Sequence, residues 1–235
     1  MKAIYEASLE AKEYCTYGLN LYGGCSHNCL YCYNKAKFTD SNYRIKKSSL
    51  GNIEYDLKYW QGPRLPVHLT FVGDAYDLGR NNTDTTTRDV LELFKKYIHP
   101  FQILTKGGTK AVQDFDLYGP NDRFGVTLTL INPEDSLVWE PGAALPADRI
   151  EALRLAHERG INTWVSLEPV IDPAQTLALI EATHEFVDFY GVGKLNHEVE
   201  IEKTIDWPKF RADAEAKLKG YGKSYKIKAA LKKAT

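Results

Sequence analysis

The chain has only four cysteines in 235 residues, too few and too closely grouped for a disulfide framework. No run approaches the roughly 18 consecutive apolar residues that a membrane helix requires, and the opening MKAIYEASLEAKEY lacks the apolar stretch of a secretion signal. These absences lead us to expect a cytoplasmic protein with reduced thiols and no membrane partner. There is no internal repeat, no low-complexity tract and no clear linker. With 43% hydrophobic and 26% charged residues, the length suits one well-buried domain. Net charge is also nearly absent, at −1, but residues 209–235 carry nine Lys or Arg against Asp213 and Glu215. The rest of the chain is therefore acidic by about eight charges.

What is present is an alternation. Strand-like stretches fall at 16–21, 67–72 (VHLTFV), 101–106 (FQILTK), 123–130 (RFGVTLTL), 161–170 (INTWVSLEPV) and 187–193 (VDFYGVG). Helix-like stretches follow most of them: one through Asn34 and Lys37, then TRDVLELFKKYI, TKAVQDFDLY, PADRIEALRLAHERG ended by Gly160, and DPAQTLALIEATHEF. Six βα units predict parallel strands in an α/β fold, a partial (β/α)6 barrel rather than the eightfold closed one. We expect residues 1–206 to form this core with a short N-terminal arm, and 207–235 to be a helical basic extension with a frayed end. Lys223, Lys226, Lys228, Lys232 and Lys233, interleaved with Tyr221 and Tyr225, make nucleic acid a candidate partner of that tail.

Three of the cysteines lie in CSHNCLYC, with three and then two residues between Cys25, Cys29 and Cys32. Thiolates at such spacing select zinc, copper(I) or iron–sulfur clusters. A structural zinc site needs a fourth ligand, which Cys15 or His27 would supply. A four-iron cluster with three protein ligands instead leaves one iron open for substrate or cofactor. Counting ligands leaves both readings open.

The spacing C-x3-C-x2-C directly after a first strand, with Tyr31 and Tyr33 beside the last cysteine, resembles the signature of the radical S-adenosylmethionine (SAM) superfamily. The wider text GLNLYGGCSHNCLYCY, followed in order by ILTKGG, GVTLTL, WEPGAALPADRIEALRLAHERGI and SLEPVI, is similar to its spore photoproduct lyase-like branch. The resemblance runs from about Gly18 to Asn196. It implies a barrel of the radical SAM type and a [4Fe-4S] cluster on Cys25, Cys29 and Cys32, with SAM on the fourth iron. Reductive cleavage of SAM would give a 5′-deoxyadenosyl radical that abstracts hydrogen from an unidentified substrate, a nucleic acid or nucleotide being one class. The electron would come from a flavodoxin- or ferredoxin-like donor.

By the same resemblance Tyr31 or Tyr33 lines the adenine pocket, Gly73 and Asp74 meet the SAM amino group, and Lys106 points to its carboxylate or ribose. Thr129 stands where the branch places a serine facing SAM. Arg149 and Glu140 fall within the matched WEPGAALPADR, Arg149 as a SAM contact or a surface ion pair. Glu168, Lys194 and Asn196 end strands on the face where barrel enzymes bind ligands. The photoproduct lyases also carry a cysteine after the second strand, and TFVGDAYDL has none, which argues against dimer repair. Cys15 reads as a small buried residue, or more sharply as a hydrogen-atom donor or a redox partner. The rival from another class is a non-catalytic, zinc-stabilised nucleic-acid-binding protein.

Overall fold

The structure, a computed structural model, describes residues 2–33, 49–196 and 198–234. All six expected strands are present: β2 (Tyr17–Leu19), β3 (Val67–Leu69), β4 (Phe101–Thr105), β5 (Arg123–Thr127), β6 (Asn162–Val170) and β7 (Phe189–Lys194). They pair in parallel and in chain order within one sheet. The sheet gains β1 (Tyr5–Glu6), antiparallel to β2, and β8 (Ser224–Ile227), parallel to β7. The result is an open, partial barrel of eight strands with helices outside. The helix expected through Asn34 and Lys37 lies outside the described residues.

The tail corrects one expectation. It is not a frayed helix: it completes the sheet with β8 and ends in a short helix, α8 (Ala229–Lys233). The physical reason is the helix before it, α7 (Trp207–Gly220), which buries Trp207, Phe210, Ala214 and Leu218 and packs on α5 (Pro173–Thr183). That docking delivers SYKI to the edge of β7, where Ile227 is buried, and Leu231 of α8 is buried after it. Each large apolar side chain so buried stabilises the fold by about 1.5–3 kcal/mol, more than enough to order a lysine-rich end. Lys226 donates to the Glu13 carbonyl at 2.9 Å, and Lys228 pairs with Glu168.

The remaining helices are α1 (Ser49–Lys58), α2 (Thr86–Lys96), α3 (Pro133–Trp139), α4 (Pro146–Glu158) and α6 (Val199–Glu202). Three of the helices, α3, α5 and α7, begin on side-chain caps with Pro in the first turn: Asn132 accepts from the Glu134 amide at 2.8 Å, Asp172 from the Ala174 amide at 2.8 Å and Asp206 from the Lys209 amide at 2.9 Å. The helix–sheet core holds Leu69, Ile103, Phe124, Val126, Val165 and Val192 against Leu91, Phe94, Leu153 and Leu179.

Opposite side chains point into the barrel. His68, Phe71 and Trp164 cluster there with Tyr14, whose ring lies 5.8, 6.0 and 6.2 Å from those of His68, Phe71 and Trp164. Gly125 on β5 leaves room for the Trp164 indole, which donates to the Ile103 carbonyl at 3.1 Å. The N-terminal arm crosses the open side: Gln102 donates to the Tyr14 carbonyl at 3.0 Å, and the Ala229 amide donates to the Glu13 carboxylate at 2.9 Å.

Candidate active site

The loop after β2 carries Cys25, Cys29 and Cys32, none of them in a disulfide. Protein backbone and two buried carboxylates hold it from both flanks. On one flank Asp77 accepts the Ser26 amide at 2.7 Å and the Gly79 amide at 2.8 Å, and also takes the Ser26 hydroxyl. On the other, the Trp139 carbonyl accepts the Leu30 amide at 2.8 Å, and the Gly142 amide donates to the His27 carbonyl at 2.9 Å. The Tyr31 hydroxyl donates to Glu140, and its ring stacks on Trp139 with centroids 6.4 Å apart. Gly73 permits the close approach below the loop: its φ is +83°, and a Cβ there would stand 2.7 Å from the Gly24 carbonyl oxygen.

Electrostatics around the loop are sharply set. Burial pushes the Cys25 thiol up, with Asp74 adding to it, and burial likewise raises Cys29 against the pull of Lys106. In the protein alone these sulfurs are thiols; a bound cation supplies what a thiolate needs. His27 is buried, which lowers its pKa despite Asp74 and Asp77. Its Nε2 accepts the Leu78 amide at 3.3 Å, placing the proton on Nδ1, 3.6 Å from Asp74. Cys25, His27 and Asp77 still bring three donor atoms within 4.8 Å of one another. Cys15 precedes β2 whereas Cys25 follows it; its sulfur lies 4.0 Å from the Ala11 carbonyl and burial pushes its thiol up to about 12.

A profile of the radical SAM superfamily matches residues 19–187. This chain belongs to the radical SAM superfamily. The uncharacterized protein MJ0683 of Methanocaldococcus jannaschii is 29% identical over 189 residues, covering 77% of this chain and 70% of that protein. Among solved structures, a spore photoproduct lyase mutant is similar with a TM-score of 0.75 at 12% identity, over 94% of this chain and 78% of that one. Streptococcus suis SuiB bound to S-adenosylmethionine is similar with a TM-score of 0.67 at 10% identity, over 89% of this chain. The chain spans 46% of SuiB, about half its length. At these identities the structural likeness shows the fold.

Radical SAM enzymes use a [4Fe-4S] cluster and SAM, and the residues here fit that pair. Three thiols share one clamped loop. Close to it, the Lys106 ammonium stands 5.5 Å from the Tyr31 ring centre and makes no hydrogen bond to a described residue. Thr129 is 1% exposed, and its hydroxyl has no partner among the described residues. A cation and a hydroxyl left over at strand ends suit an anionic, polar ligand.

The other sequence candidates are differently employed. The Asp74 carboxylate accepts the Tyr76 amide at 2.8 Å, the Thr105 hydroxyl at 2.5 Å and the Lys106 amide at 2.8 Å. It braces the β3 and β4 ends against each other, which leaves little of it for an ammonium ligand. Arg149 forms no surface pair: it is buried, donating to the Ala144 carbonyl at 2.7 Å, the Thr127 carbonyl at 2.9 Å and Glu140 at 2.5 Å. Tyr31 spends its hydroxyl on Glu140, and Tyr33 is exposed with its hydroxyl on the Phe71 carbonyl at 2.5 Å. Lys194 pairs with Glu202 at 2.5 Å, and Asn196 donates to the Lys194 carbonyl at 3.4 Å.

Glu168 receives both the Tyr14 hydroxyl and the Lys228 ammonium. Burial lowers the Lys228 pKa, opposed by Glu168. Asp77, Tyr14 and Lys228 are the site-region residues that sequence reasoning missed. Asp77 lies three residues beyond Asp74 in VGDAYD, where either aspartate fits the motif equally well. Tyr14 and Lys228 come from the two chain ends, and nothing local signals their meeting.

Proposed function

We propose that Cys25, Cys29 and Cys32 ligate three irons of a [4Fe-4S] cluster and that Lys106, Thr129 and the backbone at Gly73 receive SAM. When bound, this pair supplies the reductive cleavage of SAM and the radical that takes a hydrogen atom from substrate. The chain's own part is positional. The clamped loop presents the three sulfurs, and Lys106 offers a charge-assisted hydrogen bond to a carboxylate. The observation that carries this reading is the loop itself: three thiols on one side of β2, with Cys15 on the other.

The substrate class to test first is a nucleotide or nucleic acid, supported by the likeness to spore photoproduct lyase complexed with dinucleoside spore photoproduct. A competing likeness is SuiB bound to precursor peptide SuiA. Lys226 and Lys228 do not serve a nucleic-acid tail, because both are engaged inside the fold. A flavodoxin- or ferredoxin-like protein is the proposed reductant.

The test is iron, sulfide and zinc analysis after anaerobic reconstitution, on the wild type and on a Cys25→Ala, Cys29→Ala, Cys32→Ala variant, with a dithionite-driven assay for 5′-deoxyadenosine. About four irons per chain, as one such cluster requires, lost in the variant together with nucleoside release, supports the proposal. Stoichiometric zinc, without iron or SAM cleavage, overturns it in favour of the zinc-stabilised binding protein on Cys25, Cys29, Cys32 and His27 or Cys15.

A further inference from the structure

Glu140 is 1% exposed and joins three parts of the chain. One oxygen takes the Tyr31 hydroxyl, from the residue between Cys29 and Cys32. The other takes Arg149 at 2.5 Å, which in turn holds the end of β5 through Thr127 and the segment before α4 through Ala144. The carboxylate thus joins the end of β5 and the start of α4 to the middle of the cysteine loop, alongside the backbone bonds Leu30–Trp139 and Gly142–His27. Burial works to raise its pKa, and Arg149 and Lys106 outweigh that and keep it ionised.

A buried ion pair is a poor way to gain stability, because the desolvation of both charges consumes most of the attraction and an apolar pair of similar volume does as well. Its place beside the cysteines gives it a different use. Lys106, Arg149 and Glu140 act on the Cys29 side of the loop, and Asp74 and Asp77 on the Cys25 side, so Glu140 and Arg149 are opposite charges whose removal moves the field at the sulfurs in opposite directions. Resting on the cluster assignment above, we infer that Glu140 is a positioning residue of the radical SAM site. Through Tyr31 it fixes the cysteine loop, and with Arg149 it sets the field that tunes the cluster's reduction potential. The WEPG segment (139–142) that ties down Leu30 and His27 is, on this inference, a built clamp for the cluster loop.

The two halves of this inference separate experimentally, using the full chain reconstituted anaerobically. Glu140→Gln keeps the shape and, with its amide oxygen on Arg149 and the Tyr31 hydroxyl turned to accept from its amide nitrogen, both contacts, but removes a negative charge, so the midpoint potential followed by electron paramagnetic resonance should rise. Arg149→Met removes a positive charge and should lower it. Loosening of the fold alone moves both variants the same way, or neither, and that outcome overturns the electrostatic half. Tyr31→Phe cuts only the tie to the loop and should release iron to a chelator about tenfold faster, in the range typical of outer-sphere contacts at metal sites. Release at the wild-type rate overturns the positional half. Should Arg149→Met fail to fold, Glu140→Gln still decides, since an unmoved or lowered potential refutes the inference. A wild-type chain that takes up zinc and no iron is a different result, which removes the cluster assignment and this inference with it.

Discussion

His68 should make the fold sensitive to mild acid, by an amount that its surroundings determine. The ring is 1% exposed inside the barrel, packed on Phe71 at 4.4 Å and on Tyr14 at 5.8 Å. Its Nδ1 lies 3.2 Å from the Gln102 side-chain nitrogen, and an amide nitrogen only donates, so Nδ1 accepts and the ring is neutral. Burial, helped by the charge of Lys228, lowers its pKa from 6.5 to about 3. The folded state therefore refuses a proton that the unfolded chain accepts below its ordinary value. The stability contribution is whole above about pH 6.5 and declines as pH falls toward 3, where the folded ring at last protonates too. At pH 5.5 the unfolded state gains about 1.4 kcal/mol by this route, from RT ln(1 + 10) with the ordinary histidine value. His68→Gln retains an acceptor for Gln102 and does not titrate. Urea unfolding at pH 7.5 and 5.5 should show the variant losing about 1.4 kcal/mol less than the wild type over that interval. Other groups, including the buried His99, act alike in both chains and cancel. Equal losses in the two chains would refute the reasoning.

Gly142→Ala places a methyl against the Ser26 carbonyl and 2.9 Å from the His27 Cα, where backbone on both sides cannot give way. It should cost about 1–3 kcal/mol in thermal unfolding and reduce iron uptake, whereas Gly191→Ala, with only the Val165 oxygen at 3.9 Å, should retain full iron uptake. Lys106→Met removes a cation that makes no hydrogen bond to a described residue, so melting should change little. SAM affinity measured by equilibrium dialysis should fall about tenfold or more, as expected for one charged hydrogen bond of about 1.5–3 kcal/mol. Asp77→Ala strands the Ser26 and Gly79 amides, and should cost about 1–3 kcal/mol per unsatisfied group by urea unfolding. Lys228→Met leaves Glu168 without its cation and should destabilise by about 3–5 kcal/mol, with partial rescue by Glu168→Gln in a double-mutant cycle.

The six strands were legible because each carries a dense apolar run bounded by turn residues, and the cysteine spacing was legible because the ligands lie within eight consecutive positions. Charge in the tail misled, since nine cations in 27 residues read as solvated until their partners are known. Lys228 looks like a surface lysine in GKSYKIK and becomes a buried one only because β8 sets it beside Glu168. The same limit explains Arg149: a helix-opening arginine in a one-dimensional text has no visible acceptor, and its three acceptors come from Thr127, Glu140 and Ala144.

The sequence by itself determined the βα alternation, the parallel partial barrel and the three thiols in one loop, because all depend on interactions between near neighbours in the chain. Only the tertiary structure decided which side chains are spent on the protein and which remain for a ligand. Asp74, Arg149 and Tyr31 satisfy buried partners 32, 22 and 109 positions away, while Lys106 and Thr129 are left with polar atoms that no described residue satisfies. Burial makes an unpaired polar group costly, so what each residue is for follows from long-range packing that no local pattern encodes.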